Sequence, residues 1–209
     1  MKVIKSLGLA LCIAASLQAQ VVISQPVGGN TGDDGNTGQS FTPSFHTSGS
    51  FVDSHAYLTQ FTFVVSSASA LPSTPVFLDI FSGGVGIGLV DASINSLQWS
   101  TLGAGATATF NFSGTVALDV STTYFAIFSD SPTALVEGGA RAGRGIMFAS
   151  DVYPGGFLIH DNSGIGSLDA QFTATFATAP SVPEPSTYAV LLGLTVLGVA
   201  LLRRRGRVA

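Results

Sequence analysis

Between Gln20 and Pro180 apolar side chains return at every second position, and that period decides what the chain can fold into. Phe61, Phe63 and Val65 alternate with Thr62 and Val64; Phe110 and Phe112 alternate with Thr109 and Asn111. Phe172, Ala174 and Phe176 alternate with Gln171, Thr173 and Thr175. Successive strand residues point to opposite faces, so each segment presents one greasy face. Val76 to Phe81 is nearly all apolar between Pro75 and Gly83-Gly84, and Tyr124 to Phe128 is a second such run after a Ser-Thr-Thr turn. Runs of this kind read as strands buried on both sides. No window of ten residues shows the 3.6-residue period of a helix. With 21 glycines in 161 residues punctuating these segments, the expected fold is all-β, a single β-sandwich or jelly roll of eight to ten strands. The fifteen phenylalanines of the chain, largely at inward positions, fill its core. Val21 to Ser24 and Gln171 to Phe176 are expected to pair or to lie side by side.

Charge is scarce and unevenly placed. Only 10% of the 209 residues are charged, against about 25% in ordinary soluble proteins. Lys2 and Lys5 stand at the front and Arg203, Arg204, Arg205 and Arg207 at the back; the stretch from 20 to 180 holds only Arg141 and Arg144 against ten Asp and Glu137. Two cations against eleven acids leave it at −9, where the whole chain is −4. A lysine-free acidic body repels phosphate backbones, which excludes nucleic acid as a partner. The single cysteine, Cys12, lies in the first apolar run. Once that run is removed there is no disulfide, cysteine-ligated zinc or cysteine nucleophile.

The front end, residues 1–19, has a basic start (Met1 to Lys5), an apolar run (Ser6 to Leu17) and a polar break at Gln18-Ala19-Gln20. This is the layout of a signal peptide, recognised by the secretion translocon and cut by signal peptidase after Ala19. Leu11 stands where a lipoprotein signal needs a small residue, so Cys12 is not expected to carry lipid. At the back, residues 181–187 contain Val182-Pro183-Glu184-Pro185-Ser186, whose prolines remove backbone donors and hold their neighbours extended. Residues 188–202 are uncharged and apolar, and the basic tail 203–209 follows. Fifteen helical residues rise about 22 Å, short of a roughly 30 Å hydrocarbon core. Flanking residues extend such a helix and arginines snorkel to the headgroups. The arginine cluster acts as a stop that stays cytoplasmic while the body lies outside.

The order Val-Pro-Glu-Pro-Ser, apolar helix, arginine cluster resembles the PEP-CTERM sorting signal over about Val182 to Arg207. That resemblance implies handling by an exosortase, a membrane-embedded enzyme that cuts near the motif, in a bacterium with an outer membrane that makes exopolysaccharide. It makes the membrane helix a temporary anchor, with the body finally at the cell surface or outside the cell. The body is similar to the choice-of-anchor extracellular β-sandwich domains. The likeness rests on the order Gly38-Gln39-Ser40-Phe41-Thr42-Pro43, Phe61-Thr62-Phe63, Val76 to Phe81 and Thr123 to Phe128. It implies a fold and a surface location, without an activity.

Candidate chemistry is thin. Gly29-Asn30-Thr31-Gly32 is repeated as Gly35-Asn36-Thr37-Gly38 around Asp33-Asp34. Such oxygen-rich loops can hold Ca²⁺, but the spacing fails the EF-hand pattern and a flexible surface loop is the plainer reading. His46, His55 and His160 are the only histidines, without metal-ligand spacing. His160 precedes Asp161, but neighbours on a strand face opposite ways, so a turn histidine is the plainer reading there. Tyr57, Trp99, Tyr124 and Tyr153 could together form a sugar-stacking platform; alternation sets Trp99 with Leu97 on a core face, which favours packing. No G-x-S-x-G elbow occurs, and a carboxylate pair built on Glu137, the sole glutamate of the body, has little behind it. Asn111-Phe112-Ser113 matches a glycosylation acceptor, of little meaning in a bacterial strand. The expected function is a non-enzymatic surface or extracellular-matrix protein linked to exopolysaccharide, without a cofactor. A carbohydrate-binding module is the alternative, and a secreted hydrolase is the least supported reading.

Overall fold

The computed structural model describes residues 19–31, 35–66, 75–130, 144–150 and 152–180. Fourteen strands occur there: β1 (Gln20–Gln25), β2 (Asn30–Thr31), β3 (Asn36–Phe41), β4 (His55–Val64), β5 (Phe77–Gly84), β6 (Ile87–Ala92), β7 (Thr107–Asn111), β8 (Ala117–Asp119), β9 (Tyr124–Ser129), β10 (Met147–Ser150), β11 (Leu158–His160), β12 (Ser163–Ile165), β13 (Leu168–Ala170) and β14 (Phe172–Ala177). Eight of them have five residues or more. The other six are two- to four-residue pieces, too short to show a period. The described residues contain no α-helix, only 3-10 turns at Pro43–Phe45 and Trp99–Thr101.

The long strands form two sheets. The first runs β1-β14-β4-β7, with β8 beside the lower half of β4; the second runs β12-β11-β3-β9-β5-β6. A small third sheet, β13-β10-β2, completes the set. Pairing is antiparallel throughout, and β1 pairs with β14 from Gln20↔Ala177 to Gln25↔Phe172, so the first and last strands do lie side by side. The two large sheets meet through aromatic rings: Phe41 lies 5.5 Å from Phe61, and Phe63 lies 4.9 Å from Phe128. Val21, Ile23, Phe61, Phe63, Phe110, Phe172 and Phe176 are all buried, on the inward positions their alternation marks. Each such side chain contributes about 1.5–3 kcal/mol of burial, most of it offset by lost chain entropy.

The near-continuous runs have a separate cause. On the far face of the second sheet, Phe81, Ile127 and Ile159 form another apolar cluster with Val85, Phe125 and Phe157. Strands β5 and β9 therefore bury side chains on both faces, as their sequences imply. Gly38 belongs to this tight packing, because a β-carbon there would collide with the Ala126 carbonyl oxygen.

Two expectations of local structure need correction. The repeated Gly-Asn-Thr-Gly segment does not form one surface loop: its first Asn-Thr lies in β2 and its second opens β3, where Asn36 and Thr37 are buried. Trp99 is in the core, but in a 3-10 turn rather than on a strand. The alternation with Leu97 reached the right side of the molecule for the wrong local reason.

Candidate functional site

The strongest functional signal leaves the body beside its own beginning. Strand β14 ends at Ala177, opposite Gln20 of β1, so the residue after the expected signal cleavage and the last residue before the tail share one end of the sheet. Ala19 is exposed there. Six residues separate Ala177 from Glu184, a span of at most about 25 Å. The signal segment before Ala19, together with Val182 to Ser186, the apolar run 188–202 and Arg203, Arg204, Arg205 and Arg207, lies outside the described residues. Among the described residues no helix is long and apolar enough to cross a membrane.

The four aromatic candidates do not converge. Trp99 is fully buried against the Phe128 ring at 5.1 Å, and its indole N–H meets no acceptor among the described residues. Tyr124 opens β9, and its hydroxyl accepts from the Asp119 N–H at 2.8 Å where the chain passes from β8 in the first sheet to β9 in the second. A tyrosine that ties a sheet-to-sheet corner to backbone a few residues upstream is a known device of sandwich folds. Burial raises the Tyr124 hydroxyl, and burial raises the Tyr153 hydroxyl further. Tyr153 is 3% exposed; its hydroxyl donates to the Thr42 carbonyl at 2.9 Å and accepts from the Thr42 N–H at 3.1 Å. A stacking platform needs open ring faces, and these three rings are core. Only Tyr57 is half-buried, on the outward side of β4.

The histidines are equally dispersed. His46 packs edge-on against Phe51, and His55 sits exposed 3.9 Å from Asp53. His160 closes β11, and its Nε2 lies 3.5 Å from an Asp161 carboxylate oxygen. Strand alternation would part that pair, but Asp161 and Asn162 have φ of 47° and 63°. Positive φ at both central residues of a two-residue hairpin is the type I′ signature. The turn, not a strand, brings acid and imidazole together. No group of three or more His, Cys, Asp or Glu gathers among the described residues; Asp33, Asp34 and Glu137 lie outside them.

Two buried polar arrangements gave no sequence signal beyond a polar residue in an apolar setting. Asp169 accepts from the Val152 and Tyr153 N–H groups and from Gln39 Nε2 at 2.8–2.9 Å, while Gln39 Oε1 accepts from Ala170 N–H. This knot ties β3 to β13 and to the segment before β11. Arg144, 1% exposed, donates to Asp130 at 2.7 Å. It is the only Lys or Arg among the described residues, so their surface presents no guanidinium or ammonium group.

The outward face of the first sheet is different in kind. Cross-strand pairing aligns Ser24, Thr173, Thr62 and Thr109 in one row over four strands. The next row is Val22, Thr175, Gln60 and Asn111. Beyond a bulge in β4, Gln20, Ala177, Tyr57 and Ala117 form a third. None of the twelve is an acid, a base or a histidine; such side chains resume one row further on, at His55 and Asp119.

Residues 181–205 match the PEP-CTERM protein-sorting motif. No curated protein and no solved structure matches the chain. The motif marks a protein that is exported, held at a membrane and passed to an exosortase-type enzyme for sorting to the cell surface.

Proposed function

We propose that the chain is an exported, non-enzymatic surface or matrix protein whose body acts beside exopolysaccharide. The observation that carries this is the sorting motif at 181–205, which begins four residues after the strand that completes the sandwich. In this reading residues 1–19 take the chain through the translocon and signal peptidase removes them. The run 188–202 holds the inner membrane with the arginines on the cytoplasmic side. Cleavage near Pro183-Glu184-Pro185 then frees a closed domain. Support for a structural or binding role comes from the polar groups themselves: Asp169, Gln39, Tyr153 and Tyr124 point into the fold and are engaged with backbone. Fractionating the native host tests the reading. The body is expected in the surface and extracellular polysaccharide fraction in a strain with the processing enzyme, and in the inner membrane in a strain without it. Recovery as a free periplasmic protein in both strains would overturn it.

A further inference from the structure

The uncharged outer face of the first sheet has a chemistry that the rest of the body lacks. The body is strongly acidic and its described surface has no cation, which disfavours anionic polymers by plain Coulomb repulsion. This face offers neither sign. Hydroxyls dominate its first row, and they are held in place across strands: Ser24 Oγ lies 3.4 Å from Thr173 Oγ1, and Thr62 Oγ1 donates to the Thr173 carbonyl at 3.4 Å. In the second row Gln60 Nε2 donates to Asn111 Oδ1 at 3.3 Å in an exposed setting, an amide pair with further donor and acceptor capacity. In the third, Tyr57 is flanked across the strands only by Ala177 and Ala117. Neither neighbour has more than a methyl group to stand over the phenol ring.

Tyr57, Gln60 and Thr62 all belong to β4, which lies between β14 on one side and β7 and β8 on the other. They mark a track of about 17 Å at the usual strand rise. Along it an aromatic face is followed by an amide pair and then by hydroxyls. A pyranose chain has the complementary features, with an apolar ring face and hydroxyl edges that donate and accept. We infer that this face binds a neutral, extended polysaccharide lying along β4, with one sugar ring on Tyr57 and the next hydroxyl groups met by Gln60, Asn111, Thr62 and Thr173. The inference rests on the exopolysaccharide part of the reading above, and names the chemistry and the place.

The test uses the full-length protein in detergent micelles, sedimented with insoluble β-1,4-glucan or β-1,4-mannan, with alginate as the anionic comparison. Retention is expected on a neutral polymer and not on alginate. Tyr57→Ala and Gln60→Glu should each reduce it by roughly tenfold, the size of one lost stacking or hydrogen-bonding contact of about 1.4 kcal/mol. Leu89→Glu, on the edge of the other sheet, should leave it unchanged. Trp99 emission and the thermal transition report that each variant is folded. Neutral binding that ignores Tyr57→Ala and Gln60→Glu overturns this surface while leaving the matrix reading intact. Binding to alginate alone, or self-association abolished by Gln60→Glu, overturns the neutral-polysaccharide assignment. No retention on any polymer overturns both the surface and the exopolysaccharide link, while tail processing still reports separately on sorting.

Discussion

Tyr153 and Tyr124 show how much a buried hydroxyl is worth when it serves backbone. The Tyr153 hydroxyl serves both the N–H and the carbonyl of Thr42; the carbonyl also accepts from the Phe45 N–H, so Tyr153→Phe orphans the buried Thr42 N–H and should cost about 1–3 kcal/mol. Tyr124→Phe removes one acceptor at a partly buried turn and should cost nearer 0.5–1.5 kcal/mol. Urea unfolding followed by Trp99 fluorescence ranks the two, and an equal loss would contradict the difference in burial. Two acids give opposite pH signatures. Burial pushes the Asp91 carboxyl up, against a lesser opposing pull from the Ala92 N–H. The folded chain then holds that proton more tightly, so stability falls as pH rises from the ordinary Asp value through the raised one. Asp91→Asn should therefore stabilise at neutral pH and have no such effect in strong acid. Hydrogen bonds from the Ser121 hydroxyl and N–H hold Asp119 down, so its contribution is present at neutral pH and is lost as pH falls through the lowered value. A stability-against-pH curve for each Asn variant separates the signs. At this scale the sequence was legible for burial and poor for partners. Trp99 and the phenylalanines follow from pattern, whereas the Asp169 knot joins residues 130 positions apart from Gln39 and has no local trace.

Strand β14 holds the first sheet together, because it pairs along its whole length with β1 on one side and β4 on the other. It is also the last strand among the described residues, so the sheet closes only when residues 172–177 are free to pair. A chain ending at 170 should be digested rapidly by protease while one ending at 180 resists; equal resistance would show that β14 is dispensable. Within the strand, Phe172→Ala removes a ring stacked on Phe61 at 5.3 Å and should cost about 3–5 kcal/mol. The sheet edges are guarded. Thr47 and Ser48 cover β1 at Val22, and the Asn95 side chain donates to the Thr109 carbonyl and accepts from the Asn111 N–H along β7. On β6 the Asp91 carboxylate takes the Ala92 N–H. Such blocking opposes strand addition by a second chain. The long strands and the β1–β14 neighbourhood were legible because period and position survive in sequence. The third sheet was not, since its two- to four-residue strands owe their existence to neighbours rather than to pattern.

For the whole molecule, what matters is the relation between the closed body and its two ends. Both ends meet at the Gln20–Ala177 side of the first sheet, so cleavage at either one trims the domain without cutting a paired strand. With the sole described cation buried against Asp130, the released body should flow unretained past a sulfated resin such as heparin at low salt; retention that vanishes with added salt would reveal a basic surface. The sorting signal was fully legible in sequence because a sorting enzyme reads a linear segment, whereas any ligand face depends on the cross-strand register that only the fold supplies. The central claim is that Pro183-Glu184-Pro185 directs processing. Its most direct test is the mass and membrane association of a chain with all three replaced by alanine, expressed in the native host. The account predicts that this variant stays in the inner membrane with its tail intact while the parent chain loses it; normal processing of the variant would contradict the account.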